Sequence, residues 1–159
     1  MNTPANETHG TTPADTAPTA PTADTTAARP PMVWPCLQAH DASALIDFLT
    51  GTVGFLRTAV HADGDRVAHA QLDWPEGGGV MLGSYRKDAA WSQPPGTFGA
   101  YVVTADVDAL HARLRAAGVE MVREIADQDY GNREFSIKDP EGNMWSFGVY
   151  AGEPQPSIR

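Results

Sequence analysis

From Val33 onward the apolar positions recur first every second residue, then at helical spacing, then every second residue again, and the order is run twice. Val33 to Ala39 is predicted as a strand. Asp41 offers a side-chain oxygen to the first free N–H groups of a helix. Ala44, Leu45, Phe48, Leu49 and Val53 form its single apolar stripe, and Gly54 ends it. Phe55 to His61 is predicted as a second strand, Ala62-Asp63-Gly64-Asp65 as a hairpin turn, Arg66 to Trp74 as an alternating third strand and Gly79 to Gly83 as a short fourth. After a linker the pattern restarts. Phe98 to Thr104 reads as a strand and Asp106 as a helix cap, with Leu110, Leu114 and Ala117 as the stripe and Gly118 as the stop. Val119 to Ile125 reads as a strand, and Tyr130 to Phe147 as a hairpin turning at Asp139-Pro140-Glu141-Gly142.

The two runs share one offset. Pro75-Glu76-Gly77 precedes Gly83 and Pro140-Glu141-Gly142 precedes Gly148, while Asp41 and Asp106 open the helices; 140 − 75, 148 − 83 and 106 − 41 all equal 65. Repeated agreement at one offset indicates a duplicated module. The predicted fold is therefore α+β: two tandem βαβββ modules whose curved mixed sheets carry helices outside and leave a concave ligand cavity. The expected domain spans 32–151, with module one at 32–84, a linker at 85–97 and module two at 98–151. Residues 1–31 are Thr, Ala and Pro with a few acids and no Leu, Ile, Val, Phe, Tyr or Trp, so a disordered tail is expected there. Residues 152–159 form a short polar C-terminal tail.

Strand parity sorts the candidates. Ala68, Ala70, Leu72 and Trp74, with Arg133, Phe135, Ile137 and Asp139 one repeat later, are assigned mostly to the helix-covered faces. That leaves His69 and Gln71, and Glu134 and Ser136, facing the cavity. In the first strand Trp34, Cys36 and Gln38 point inward. His69 and Glu134 are repeat-related, so they could oppose each other and do acid/base chemistry; a merely wetted polar face is the alternative. Trp91 and Tyr130 are loop aromatics, suited to a ligand or to packing at the loop base. Arg133 and Asp139 flank the hairpin and are expected to pair structurally. His40 and His111 are expected to face solvent, and Cys36 to act as a small hydrophobe.

Composition narrows the partners. Eleven basic against 20 acidic residues give a formal charge of −9. That argues against nucleic acid or an anionic membrane surface, and suits either plain solubility or a cationic ligand. One cysteine excludes an intrachain disulfide and fits a reducing cytoplasm. No apolar run approaches membrane-spanning length, and the N-terminus lacks the marks of a signal peptide.

Over roughly Pro31 to Ala151 the chain resembles the vicinal oxygen chelate superfamily of glyoxalases, extradiol dioxygenases, and fosfomycin- and bleomycin-resistance proteins. The carriers are Asp41–Phe55, Asp106–Gly118 and, above all, Tyr130-Gly131-Asn132-Arg133-Glu134-Phe135 joined to Asp139-Pro140-Glu141-Gly142-Asn143. This last motif is most similar to bleomycin-resistance and glyoxalase-like proteins. The resemblance implies metal-ligand positions that fall here on Trp34, Met81, Ala100 and Ser146, none of which replaces the carboxylate, amide or imidazole donors a divalent ion needs. The expectation is therefore no metal cofactor and a small-molecule binder that could sequester an antibiotic, with Trp34, Cys36, Gln38, Gln71, Trp91, Tyr130 and Ser146 as ligand contacts. The alternative is a glyoxalase-like lyase, isomerase or dioxygenase, using either a non-standard metal site or His69 and Glu134 without metal. Exposed edge strands and the paired modules suggest a homodimer.

Overall fold

A computed structural model describes Met1, residues 31–154 and Pro156. The tail expected over 1–31 (apart from Met1 and Pro31) and residues 155 and 157–159 of the C-terminal tail lie outside the described residues. The elements are β1 Cys36–Ala39, α1 Ala42–Phe48, a π-turn Leu49–Val53, β2 Leu56–Asp63, β3 Arg66–Asp73, β4 Gly79–Ser84, β5 Gly99–Val103, α2 Val107–Ala116, β6 Met121–Asp127, β7 Arg133–Lys138 and β8 Met144–Gly148. They form two four-stranded sheets of one topology, ordered β1-β4-β3-β2 and β5-β8-β7-β6. In each, the first and last strands of the module pair parallel and the rest antiparallel. The fold is α+β, two tandem βαβββ modules with no closed barrel.

Both helices start alike. Asp41 and Asp106 each accept a hydrogen bond from the N–H three residues on, at Ala44 and Ala109. They end differently, because the first run is one residue longer: Asp41 to Gly54 spans 13 positions and Asp106 to Gly118 spans 12. The extra residue is absorbed as the wider turn Leu49–Val53. The two glycines then reverse the chain at φ 104° and 74°, which a β-carbon would strain.

The core joins the modules through their helix-bearing sides. Leu45, Ile46 and Leu49 cover Leu37, Leu72 and Leu82 of the first sheet, and Leu110 and Leu114 cover Phe135 of the second; all are buried in one cluster. Phe55 meets Trp145 at 5.6 Å and Trp74 meets Phe147 at 6.1 Å between ring centroids, so side chains of both sheets' core faces touch. The open faces consequently turn away from one another.

Two glutamates lock this arrangement reciprocally. Glu141 accepts from the N–H groups of His40 and Asp41 at 2.9 and 2.7 Å, at the start of α1. Glu76, 65 residues earlier, accepts from the Thr104 hydroxyl and the Ala105 N–H, both at 2.8 Å, before α2. Each hairpin thus places a carboxylate where the other module's helix N-terminus favours negative charge.

Candidate ligand-binding site

The open face of the first sheet is built from the parity the alternation predicts. Cys36 stands beside Met81, Met81 beside Gln71, and Gln38 beside Gly83. Beside this floor the segment after β4 folds back and walls a half-open cavity of about 450 Å³. The cavity is within the ordinary range for small-molecule sites. Gln38 fixes the segment with both ends of its amide: Nε2 donates to the Trp91 carbonyl and Oε1 accepts from the Gln93 N–H, each at 3.1 Å. Trp91, thus anchored by its backbone, keeps its indole 71% exposed at the rim. His69, Arg66 and Arg86 are among the lining residues, and Asp63 is the one carboxylate there. The acidity of the chain as a whole therefore does not extend to the lining of this cavity.

The open face of the second sheet is filled instead. Glu134, 4% exposed, gives one carboxylate oxygen to Arg123 and the other to the Asn132 amide. Tyr101 donates to Asn132 Oδ1 at 3.1 Å, and the Ser136 and Ser146 hydroxyls lie 2.9 Å apart. Gly148 is required here, since a β-carbon would collide with the Tyr101 hydroxyl and come within 2.9 Å of Asn132 Oδ1 and Glu134 Cβ. Arg123 was not legible in advance: two register shifts in β6 displace it from simple alternation.

His69 and Glu134 have the predicted parity but do not oppose each other within the chain. They lie on the open faces of different sheets, whose helix-bearing sides share one core, and no second-module residue lines the cavity around His69. Cys36, Gln38 and Trp91 line that cavity together with His69. Gln71 shares the face but bonds to Asp73 at 3.0 Å, and Trp34 lies over Gly79 beyond the cavity lining. Tyr130 is 60% exposed at the β6–β7 turn, and Ser146 belongs to the polar network of the second sheet.

Other expectations are corrected by local packing. Ala68 is exposed and Val67 buried, because the β2–β3 register shifts between His61 and Ala62. Arg133 pairs with Asp108 and Asp127, not with Asp139. Its hydrogen bonds hold the Asp108 carboxyl below the usual range, and the two carboxylates push the Arg133 guanidinium up. His111 is half-buried, its ring edge-on to Phe135 at 5.1 Å and its Nε2 3.2 Å from Glu124. Arg66 and Arg86, which parity and motif did not single out, stand at a strand end and in a linker, where alternation carries no signal.

The side chains at the positions the resemblance assigns to metal ligands offer a divalent ion poor donors. Trp34 and Met81 offer none of the usual ligands, Ser146 shares its hydroxyl with Ser136, and Ala100 packs against the core beside Trp145. The open-face neighbour of Ala100, Gly99, has no side chain. Among the described residues no three His, Cys, Asp or Glu side chains converge. No helix among them is long and apolar enough to cross a membrane.

No curated protein is significantly similar to the chain. Among solved structures, TioX from Micromonospora sp. ML1 is 26% identical, with 74% of this chain and 98% of that one covered at a TM-score of 0.57. TnmS3, an antibiotic binding protein from Streptomyces sp. CB03234, is 24% identical over 72% of this chain and 90% of its own at 0.60, a likeness of fold. A glyoxalase/bleomycin resistance protein from the same Streptomyces is 24% identical over 70% and 94% at 0.59. The family model described as Glyoxalase/Bleomycin resistance protein/Dioxygenase superfamily matches residues 32–147, nearly the whole described domain, and the chain belongs to that superfamily.

Proposed function

We propose that this protein is a metal-free small-molecule binder of the bleomycin-resistance type, which sequesters an aromatic ligand, such as an antibiotic, over its first sheet. The observation that carries the reading is the cavity of about 450 Å³ beside a linker that Gln38 holds in place, with Trp91 presented at its rim. A flat ring can slide between that indole and the Cys36–Met81 floor, where stacking and apolar burial supply affinity without a metal. The donor chemistry at Trp34, Met81 and Ser146 and the fold shared with an antibiotic binding protein support the same reading.

A homodimer completes it. β1 and β5 are edge strands, and Tyr101, Val103, Met144, Val149 and Tyr150 are exposed apolar residues on or after the strands of the second module. A second copy covering them would bury apolar surface and protect the edges.

The test is a panel of aromatic antibiotics titrated into untagged protein, with tryptophan fluorescence and calorimetry as readouts and metal content measured by mass spectrometry. Binding at one site per chain without metal, weakened about tenfold by Trp91→Ala and by Gln38→Ala, is expected for loss of a stacking contact of roughly 1 kcal/mol or more. A stoichiometric metal, or full affinity in Trp91→Ala, would refute the reading. Light scattering tests the dimer: a monomeric mass at micromolar concentration removes it.

A further inference from the structure

Seven arginines fall within the described residues, and five of them are engaged. Arg57 bonds to Asp47, Arg113 to the Val53 carbonyl, Arg115 to Glu124, Arg123 to Glu134, and Arg133 to Asp108 and Asp127. The two without a side-chain partner among the described residues are Arg66 and Arg86, and both line the cavity over the first sheet. They come from different elements, Arg66 opening β3 and Arg86 in the linker after β4. An acidic chain offers many carboxylates with which to neutralise its arginines, so two unpaired guanidiniums at one hollow mark a place where a negative partner is missing. The single lining carboxylate, Asp63, is the cross-strand neighbour of Arg66 yet forms no ion pair with it.

We infer that the cavity selects flat aromatic molecules carrying an anionic group, a carboxylate or ionised phenol, whose negative end is taken by Arg66 and Arg86 while the ring lies against Trp91. The inference rests on the proposed function, because it assigns the ligand class of that same cavity. Guanidinium forks match carboxylate geometry and stack on rings, so both ends of such a ligand find a partner. The formal charge of −9 does not oppose this: at physiological salt, charges more than about 8 Å away are largely screened, and the nearby charges decide.

Three naphthalene probes that differ in the charge of one substituent separate the possibilities: 2-naphthoate, 2-naphthamide and 2-naphthylmethylammonium, titrated into the full chain with tryptophan fluorescence as readout. Naphthoate is expected to bind about five- to tenfold tighter than the amide, the effect of one or two charged hydrogen bonds at a partly exposed site. The double variant Arg66→Gln/Arg86→Gln should erase that preference, so that naphthoate and amide bind alike, while the thermal midpoint stays unchanged because both side chains lie at the surface. Raising salt from about 50 to about 500 mM should narrow the gap. Equal affinity for naphthoate and amide, or tightest binding of the ammonium probe, overturns the anion preference and leaves the binder reading standing. Failure of all three to bind overturns both. A naphthoate preference that survives the double variant also overturns the assignment to these two arginines.

Discussion

Asp139 is the residue whose loss tests the folding argument most directly. It sits at the turn between β7 and β8, 5% exposed, and its carboxylate accepts four hydrogen bonds. Oδ1 takes the N–H groups of Glu141 and Asn143, both at 2.9 Å. Oδ2 takes the Asn143 amide at 2.9 Å and the Trp145 indole N–H at 3.0 Å. Asn143 and Trp145 are 1% and 0% exposed, so Asp139→Ala strands three donors that water cannot reach: the Asn143 N–H, the Asn143 amide and the Trp145 indole. At about 1–3 kcal/mol for each buried donor left unpaired, the cost is about 3–9 kcal/mol, brought toward the low end because the aspartate's own desolvation is relieved. A loss of about 3–4 kcal/mol is expected, a large part of the 5–15 kcal/mol typical of a small domain. The assay is urea unfolding, with the slope checked to confirm that the transition remains two-state. Should the alanine protein fail to fold, Asp139→Asn keeps one acceptor for the two backbone N–H groups and should lose roughly half as much. A loss below about 1 kcal/mol in the alanine variant would refute the assignment of Asp139 as the turn's organising acceptor.

Other perturbations follow from the same geometry. Gly148→Ala should destabilise by about 1–3 kcal/mol by overpacking against Tyr101, Asn132 and Glu134, and an unchanged unfolding midpoint would mean that face is looser than described. Glu76→Ala and Glu141→Ala should each cost about 1 kcal/mol in denaturant, because each strips acceptors from the other module's helix start; a neutral result for both would dismiss the reciprocal lock. Asp108 titrates below its ordinary 3.8 because Arg133 donates to it, so its contribution is complete above that value and lost as pH falls through the lowered one. Arg133→Gln should therefore flatten the acid-side fall in thermal midpoint that this carboxylate causes, and an unaltered acid limb would show that the pair does not contribute.

The fold was legible because repetition amplified weak signals. A single Asp before an apolar stripe is an ordinary cap candidate, but Asp41 and Asp106 at the shared offset of 65 each predict the other. The same offset relates the backbones of the hairpin turns: Trp74 donates to the Gly78 carbonyl as Asp139 does to that of Asn143, at 3.0 Å in both. Legibility failed where geometry departs from alternation. The bulge around Ala68 and the shifts around Arg123 move side chains to faces that period two denies them. The linker carries no period at all, so Arg86 and the Gln38 clamp emerged only in three dimensions. Nor could parity reveal that the modules pack through their helix-bearing sides, which is what separates His69 from Glu134.

Duplication gave both modules the same floor, and substitution then used the two floors differently. At equivalent open-face positions the first sheet carries Cys36, Gln38, His69, Met81 and Gly83, and the second carries Tyr101, Val103, Glu134, Ser146 and Gly148. Bulk has even been exchanged between paired strands: Trp34 lies over Gly79 in the first module, while Gly99 pairs with Met144 in the second. In the second sheet Tyr101 reaches the Asn132–Glu134 pair over Gly148, so the groups satisfy one another and the face closes. In the first, Gln38 turns its amide to the linker rather than to a neighbour on the sheet, which leaves its floor uncovered and raises a wall beside it. The asymmetry thus follows from where each face spends its hydrogen bonds. A variant that redirects Gln38, such as Gln38→Val in imitation of Val103, should loosen the linker and raise its amide-exchange rates by about tenfold, for two lost bonds of roughly 1 kcal/mol each partly compensated by water. Exchange at the Gln93 N–H unchanged from the parent would show that something other than Gln38 holds the wall in place.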